Sequence, residues 1–236
     1  CQEAKSCPLT GGLEGGIDQL QDFLDSVAET PIKTSDPDRP LNLNQARSAI
    51  IGSLYATDYY PLLTQSISQA MKGDGTGLQF LADFFDSRGV DGVYEDNSND
   101  AFTAVNALDY EPVGTPEQWR AQMDDLAERF PIVGGGMGMA SAGLAAWPVQ
   151  SQTPMQKLTA KGAGEILVIG TTHDPATPFF MAENLARDLE GGVLITVEGW
   201  DHGAYRNSAS SCIVGAVDQF LLNGKVPTPG LVCEPE

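Results

Sequence analysis

The sequence predicts an α/β fold in which the last strands of a mainly parallel sheet follow a helical subdomain. Two apolar runs of strand length, Glu165–Gly170 and Val193–Val197, lie in the last third of the chain. Each is followed by a loop and then by a segment of helical length, an order that places parallel strands side by side through a right-handed crossover. The first hundred residues, by contrast, have helical periodicity and no strand pattern.

Four helices are predicted between Gly11 and Arg88. Apolar residues recur there three and four positions apart, which places them on one face of a helix. The Asp- and Pro-rich segment Thr34–Pro40 predicts a loop, and Gly73–Gly75 predicts a break before the fourth helix. We therefore expect residues 1–100 to form a helical cap, or lid, subdomain. The apolar positions are Ile17, Leu20, Phe23, Leu24 and Val27, then Ala46, Ile50, Ile51, Leu54 and Tyr55, then Leu62, Leu63, Ile67 and Met71, then Leu78, Phe80, Leu81, Phe84 and Phe85.

The middle of the chain gives mixed signals. Ala101–Leu108 is compatible both with a short buried strand and with a helical turn. Thr115, followed by Pro116 and Gln118, predicts a helix start with a capping box, because the Thr and Gln side chains can each bind the other residue's backbone N–H. Gly134–Trp147, rich in Gly, Ala and Met, predicts a tightly packed helix.

Two further helices complete the predicted α/β unit in the last third. They are expected at Phe179–Leu189 and Ser211–Leu222, and glycines follow both segments, as is common after a helix. Residues 101–236 are therefore predicted to form the C-terminal, sheet-bearing part of the fold.

The charge balance excludes two classes of partner. The chain has 32 acidic and 13 basic residues, for a formal charge of −19. Wrapping nucleic acid and docking on anionic lipid both need clustered Lys and Arg. No apolar run approaches the ~20 residues of a membrane-spanning helix. We therefore expect no nucleic-acid partner and no membrane span.

The four cysteines form two local pairs, Cys1 with Cys7 and Cys212 with Cys233. Neither pair has C-x-x-C spacing, and two histidines are too few to supply a Cys/His zinc site, so no metal is predicted. Local pairing predicts two disulfides and hence an exported protein, secreted or in the cell envelope. Free buried thiols are an alternative, and an N-terminal Cys1 is also what a processed lipoprotein presents.

The loops that follow the two predicted strands carry the candidate site. Open parallel sheets place their chemistry at the carboxyl ends of strands. The first loop, Thr171–Pro178, contains Asp174, and the second, Gly199–Tyr205, contains His202. A carboxylate one strand before a histidine suits an acid that orients an imidazole base. The alternatives are an Asx turn or helix cap for Asp174, and a loop histidine without a task for His202.

The residue order in these loops and in the C-terminal tail resembles one family. From Gly170 the chain contains G-T-x-x-D-P-x-T-P, then G-x-x-H-G, S-x-C, V-x-x-x-L, G-x-x-P-x-P-G and a last cysteine, Cys233. This pattern resembles the C-terminal region of the secreted tripeptidyl-aminopeptidase-like (TAP-like) α/β hydrolases of actinobacteria, which are related to proline iminopeptidases. The resemblance implies a partial α/β-hydrolase fold without a cofactor. It also implies that Asp174 is the triad acid, His202 the triad base, and Thr177 a neighbour that holds the acid's loop.

A looser resemblance covers the rest of the chain. Cys1–Leu9 is similar to the start of the family's helical cap, and Val105–Asp109 is similar to the strand that returns to the sheet. Leu108 and Leu144 stand where the family has a further cysteine pair. The family's bridge is therefore absent at these positions, and an apolar contact could take its place.

The nucleophile that such a triad requires is missing from the sequence. No G-x-S-x-G occurs, and the nearest match, Met139–Gly143 around Ser141, lacks the first glycine and a preceding strand. In α/β hydrolases the order is serine, acid, histidine, so the serine belongs upstream. We expect the chain to be the C-terminal part of an enzyme, inactive alone, whose partner is the N-terminal half of the same enzyme. Self-association through an unpaired strand edge is the other expected outcome.

Three functions fit these observations. The first is an aminopeptidase that releases short peptides from free N-termini. Its substrate ammonium group needs a carboxylate, and Asp109 is one candidate. The second is another α/β hydrolase, such as an esterase or a lipase-like or haloperoxidase-like enzyme. The third is a non-catalytic envelope protein that uses the scaffold for binding.

Two residues next to Asp174 and His202 are weaker candidates for the site. His173 is expected to be a bystander, and Asp201 is an alternative acid. A metal hydrolase that uses both of them with Asp174 and His202 is disfavoured, because adjacent residues on one turn cannot easily chelate the same ion.

Overall fold

The computed structural model describes residues 7–137, 140–149, 156–205 and 210–235. The chain divides into two compact units. The helical unit comprises Cys1–Ser53 and Tyr59–Met155, and the sheet unit comprises Leu54–Asp58 and Gln156–Glu236. The predicted domain division falls at residue 100 instead. A compact unit is not by itself a functional domain, so that division stays a prediction.

The helical unit contains the four predicted helices and four more among the described residues. The helices are α1 (Gly12–Glu29), α2 (Leu43–Ser53), α3 (Tyr60–Ala70), α4 (Thr76–Phe85), α5 (Ser98–Asp109), α6 (Pro116–Arg129), α7 (Gly134–Met137) and α8 (Ala140–Ala146). A 3₁₀ turn at Thr57–Tyr59, whose first two residues belong to the sheet unit, precedes α3. Helix α6 begins with the predicted capping box of Thr115 and Gln118.

The first four helices enclose the core of this unit. The apolar periodicity of α1 to α4 places one face of each helix against the others, and α4 packs on both α2 and α3. The buried side chains of this core are Phe23, Leu24, Val27, Leu41, Ala46, Ala49, Ile50, Leu63, Ile67, Ala70, Leu78, Leu81 and Ala82.

Two predictions for the middle of the chain differ from the structure, one in its element and one in its packing. Val105–Asp109, matched to a strand by resemblance, lies in α5. The apolar residues Phe102 and Val105 are spaced for a helix face, and no strand of the described chain offers this segment a partner. In the segment expected to form a packed helix, Gly134–Trp147, the described residues are helical at Gly134–Met137 and Ala140–Ala146, and residues 138 and 139 lie outside the described residues. Helix α8 has no buried residue, so the tight packing expected of this segment is not found there.

The sheet unit contains the predicted α/β unit and one additional strand. Its elements are β1 (Ile166–Thr171), α9 (Phe179–Asp188), β2 (Gly192–Val197), α10 (Ser211–Asn223) and β3 (Val232–Cys233). Strand β1 pairs in parallel with β2, from Ile166 opposite Gly192 to Thr171 opposite Val197. Strand β3 pairs in parallel with the end of β2, so the order is β1-β2-β3. Among the described residues, one edge of β1 therefore has no neighbouring strand.

Close packing between helix and sheet depends on Gly170. A Cβ atom at this position would lie 2.7 Å from the Ala182 Cβ and 2.8 Å from the Phe179 ring, both on α9. These distances are too short for a side chain, so glycine lets α9 pack directly on β1.

A disulfide ties α10 to β3. Cys212 and Cys233 are bonded, with their Cα atoms 5.6 Å apart, as the sequence predicts. Cys233 is fully buried and packs with Ile195, Ile213 and Val217 in the small core of this unit. Cys7 is also disulfide-bonded, and its predicted partner, Cys1, lies outside the described residues. No helix among the described residues combines the length and apolar character needed to cross a membrane.

Candidate active site

The two candidate loops lie side by side at the carboxyl ends of β1 and β2. The parallel pairing continues past the strands, since Thr172 N–H donates to the Val197 carbonyl at 3.0 Å and His173 N–H donates to the Gly199 carbonyl at 3.0 Å. The Thr172 hydroxyl accepts from Gly199 N–H at 3.2 Å. This backbone network brings together residues from the first loop, 172–178, and the second loop, 198–205.

Asp174 and His202 form a hydrogen-bonded pair across these loops. His202 Nδ1 lies 3.0 Å from Asp174 Oδ2 and 3.1 Å from Oδ1. The Asp174 side chain is 5% exposed and that of His202 is 39% exposed. The structure thus brings together the two residues proposed from the sequence as acid and base, while their catalytic roles stay a prediction.

The first loop folds around the Asp174 carboxylate. Ala176 N–H and Thr177 N–H both donate to Oδ1 at 2.8 Å, and the Thr177 hydroxyl donates to Oδ2 at 2.9 Å. This is the Asx turn considered from the sequence, and it occurs together with the contact to His202. Thr177 therefore holds the carboxylate through both its backbone and its side chain.

These donors favour the ionised form of Asp174. Burial raises the pKa of this carboxyl, but hydrogen bonds from the backbone of Thr177 and Ala176, from His202 and from the Thr177 hydroxyl outweigh it, so the pKa lies below its ordinary value. An ionised carboxylate accepts a hydrogen bond from Nδ1–H. The proton of the neutral imidazole is therefore held at Nδ1, and Nε2 is the basic nitrogen of the ring. The pair can therefore accept a proton at Nε2 and stabilise the resulting imidazolium.

The second loop is held by contacts that the sequence did not reveal. His202 N–H donates to the Tyr55 carbonyl at 2.8 Å, and the two rings meet edge to face, with centroids 5.2 Å apart. Thr57 N–H donates to Asp201 Oδ1 at 2.6 Å. Tyr55 and Thr57 are far from His202 in sequence, and the periodicity assigned Tyr55 to a helix face, so no local signal indicated this role.

His173 and Asp201 have partners other than the Asp174–His202 pair. The His173 ring stacks on Trp200, with centroids 4.0 Å apart and planes 17° apart. Asp201 accepts from the backbone of Thr57, which does not favour it as an alternative acid. Among the described residues, no three His, Cys, Asp or Glu side chains are grouped as a metal site would require.

The remaining candidates lie in the helical unit. Asp109 is the exposed last residue of α5, and its proposed role in substrate binding stays a prediction. Ser141 lies inside the short helix α8. A nucleophilic serine of this fold sits instead on the sharp turn between a strand and a helix, so this setting does not suit Ser141 for that task.

Two clefts border the second loop. One of about 350 Å³ is lined by Asp174, Thr177 and His202 together with residues of β1 and α9. The other, of about 430 Å³, is lined by His173, Trp200 and Asp201 but contains neither member of the pair. The smaller cleft is the better candidate for chemistry, because both members of the pair line it.

Parallel strands with a carboxylate and a histidine on successive loops define the class of protein: this chain has part of an α/β-hydrolase fold. Residues 132–233 match the family model described as TAP-like protein. This region of the chain belongs to the TAP-like family of α/β hydrolases.

Curated relatives extend the similarity over the whole chain. Carboxylesterase B of Mycobacterium tuberculosis is 34% identical over 239 residues, which cover 100% of this chain and 45% of the relative. Serine protease Hip1 of the same species is 30% identical over 243 residues, which cover 99% of this chain and 46% of the relative. Tripeptidyl aminopeptidase of Streptomyces lividans is 28% identical over 140 residues, or 59% of this chain and 26% of the relative. The chain thus spans about half the length of the first two relatives.

Proposed function

We propose that this chain supplies the acid, Asp174, and the base, His202, of a serine hydrolase. The observation that carries the proposal is the hydrogen bond between the buried Asp174 carboxylate and His202 Nδ1 at 3.0 Å. The serine nucleophile would lie in the part of the enzyme that corresponds to the remaining length of the relatives. The isolated chain would therefore be inactive, because the covalent step has no attacking group.

The proposed chemistry uses the pair in two steps. His202 Nε2 removes the proton of the serine hydroxyl while the serine oxygen bonds to the substrate carbonyl carbon, and the π electron pair of the carbonyl moves onto its oxygen, which becomes an oxyanion. The imidazolium then passes that proton to the leaving amine or alcohol as the carbonyl re-forms and the bond to the leaving group breaks, which leaves an acyl-enzyme. Water repeats both steps and releases the acid. Asp174 keeps Nδ1 protonated and stabilises the imidazolium throughout.

The nucleophile-bearing partner would pair with the open edge of β1. Three observations support this location: β1 has one unpaired edge in the described chain, the cleft with Asp174 and His202 runs along β1 and α9, and Met181 and Leu185 on α9 are half exposed. An unpaired strand edge beside exposed apolar side chains readily accepts another strand. Without its partner, the chain would self-associate through the same edge.

The substrate proposed first is a peptide with a free N-terminus. Two relatives are named as a serine protease and a tripeptidyl aminopeptidase, and the formal charge of −19 favours a cationic ligand. A carboxylesterase is the second candidate, because the relative with that name is 34% identical to this chain. The Cys212–Cys233 disulfide supports an exported location, secreted or in the cell envelope.

A substrate panel separates the two candidates. The chain is paired with the polypeptide that carries G-x-S-x-G and assayed on a tripeptide p-nitroanilide with a free N-terminus, on its N-acetylated form and on p-nitrophenyl butyrate. An aminopeptidase cleaves the free tripeptide far faster than the acetylated one. Preference for the butyrate ester would support the carboxylesterase, and His202→Ala must abolish whichever activity is found.

The gene sequence separates an enzyme from a non-catalytic binding protein. The binding-protein alternative also predicts the absence of a nucleophile in this chain. A strand followed by G-x-S-x-G, encoded immediately upstream of Cys1, would support the hydrolase. A signal peptide with a lipobox that ends at Cys1 would contradict it.

A further inference from the structure

The segment Leu54–Asp58 lies between helices α2 and α3 of the helical unit and includes the first two residues of the 3₁₀ turn, yet it packs within the sheet unit. We propose that this segment is a clamp that positions His202, and that Tyr55 and Asp201 are positioning residues for the base. The inference rests on the proposed function, in which His202 accepts the proton of the nucleophile.

Tyr55 contacts His202 through both backbone and side chain. Its carbonyl accepts from His202 N–H at 2.8 Å, which fixes the backbone from which the imidazole extends. Its ring meets the imidazole at 76°, with centroids 5.2 Å apart, which is a favourable edge-to-face geometry. The His202 side chain is 39% exposed, and the Tyr55 ring limits rotation of the imidazole on the side that it contacts.

Asp201 fastens the residue before His202 to the same segment. Thr57 N–H donates to Asp201 Oδ1 at 2.6 Å. Hydrogen bonds to an ionised acceptor are shorter and stronger than those between neutral groups. The clamp therefore holds two consecutive residues of the second loop, Asp201 through its carboxylate and His202 through its N–H.

The second loop needs such an external contact because its own backbone is permissive. Gly203 directly follows His202 and adopts a φ of +82°, in the left-handed region that glycine enters without strain. A hydrogen bond of 3.0 Å between His202 and Asp174 would be lost if the imidazole moved by about 1 Å. The clamp thus supplies rigidity that the glycine-containing turn lacks.

The protonation of His202 in the full chain tests the clamp without any need for turnover. Long-range ¹H–¹⁵N spectra report which ring nitrogen carries the proton and how fast the Nδ1 proton exchanges. The chain has two histidines, and His173→Gln assigns the signals. Asp174→Asn is the positive control and should remove the Nδ1–H signature.

Tyr55→Ala and Asp201→Ala should each accelerate exchange of the Nδ1 proton by about 10-fold, the effect of one lost hydrogen bond or ring contact. Tyr55→Phe keeps the aromatic ring and the backbone carbonyl, and Asp201→Asn keeps an oxygen acceptor. Both variants should therefore retain the slow exchange of the Nδ1 proton seen in the parent. Tyr110→Ala removes a comparably exposed tyrosine from the helical unit and should leave it unchanged. If Tyr55→Ala unfolds, Tyr55→Leu replaces it.

Turnover supplies a second readout. In the complex with the nucleophile-bearing polypeptide, Tyr55→Ala should lower kcat by about 10- to 100-fold at unchanged KM, as expected for a misplaced base. If Tyr55→Ala and Asp201→Ala both fold and keep the Nδ1–H exchange rate of the parent, the proposal that Tyr55 and Asp201 position His202 is wrong. If the parent complex shows no turnover, the proposed function is contradicted instead. The spectra of the isolated chain would still test whether Tyr55 and Asp201 position His202.

Discussion

Each unit contains a carboxylate whose pKa lies below its ordinary value, but the partners differ in kind. In the helical unit, Asp83 forms a two-pronged ion pair with Arg39, at 2.8 and 2.7 Å, and lies 3.6 Å from Arg88. The hydrogen bond from Arg39 is the main cause of its lowered pKa. In the sheet unit, the partners of Asp174 within the described chain are backbone N–H groups, a hydroxyl and the imidazole of His202.

The difference separates a structural carboxylate from one suited to chemistry. A guanidinium stays protonated at every physiological pH, so the Asp83 pair is permanently neutralised. The partner of Asp174 can gain a proton and lose it again, which is what a general base must do. A lowered carboxyl pKa alone therefore does not mark a site, whereas the nature of the partner does.

The largest expected effect is that of removing the base. In the complex with the nucleophile-bearing polypeptide, His202→Ala should lower kcat by about 10⁶-fold, the loss that removal of the triad histidine causes in a serine protease. Denaturant unfolding should show little change in stability, because the imidazole is partly exposed. Asp83→Asn is the control from the other unit and should leave kcat unchanged. Equal turnover of His202→Ala and parent would refute the assignment.

Asp174→Asn should lower kcat by about 10⁴-fold, less than His202→Ala, because the base stays in place but loses control of its tautomer. The amide can still accept at its oxygen, so the fold of the loop should survive. Steady-state kinetics of the complex measure the loss. A decrease of less than about 10-fold would show that Asp174 does not orient the base.

The sheet unit should depend on its disulfide. Its core of described residues is small, and Cys233 lies fully buried within it. Replacing Cys212 and Cys233 together by serine should lower the free energy of unfolding by about 3 kcal/mol, the entropy gained by opening a loop of this length. Denaturant unfolding followed by circular dichroism measures the change. Substitution is preferable to a reductant, which would also act on the disulfide of Cys7. An unchanged midpoint would contradict this dependence.

The helical unit should depend on Asp83. Asp83→Asn leaves Arg39 and Arg88 without their anion and should destabilise the fold by about 2 kcal/mol, the scale of hydrogen bonds to charged groups. Asp125→Asn is the matched control, since Asp125 pairs with Arg129 on an exposed surface, where such pairs contribute less than about 1 kcal/mol. Equal effects of the two substitutions in thermal or denaturant unfolding would contradict a special role for Asp83.

Acid should remove the contributions of both carboxylates. Because their folded-state pKa values are lowered, Asp83 and Asp174 stabilise the fold above about pH 4, where an unfolded carboxyl ionises. That stability is lost as the pH falls through the folded-state pKa. The difference in unfolding free energy between the parent and Asp83→Asn should therefore shrink between pH 7 and pH 3. If the difference in unfolding free energy stayed constant over this pH range, the effect of Asp83→Asn would not come from the ionisation of Asp83.

Sequence order alone predicted the most informative parts of the fold. The apolar runs around Val168 and Ile195 predicted the two longer strands, and the residues that follow them predicted the meeting of Asp174 and His202. The prediction that Asp174 and His202 meet is confirmed because the carboxyl ends of parallel strands lie at one edge of a sheet. The chain order of the loops therefore determines which side chains become neighbours.

Other features depend on contacts that have no local signal. Strand β3 has two residues, too few for periodicity, and exists because the disulfide and the end of β2 hold it. Val105–Asp109 resembles a strand of the family but lies in α5, and the pattern of Ala101–Leu108 is compatible with either element. The contact of Tyr55 with His202 joins distant parts of the sequence, and only the folded chain reveals it.

Labelling with a fluorophosphonate tests most directly whether Asp174 and His202 activate a serine that this chain does not itself supply. The isolated chain should not react, whereas the complex with the nucleophile-bearing polypeptide should become labelled on that polypeptide. His202→Ala should abolish the labelling. Label on the isolated chain, at Ser141 or elsewhere, or labelling of the complex that is unaffected by His202→Ala, would contradict the account.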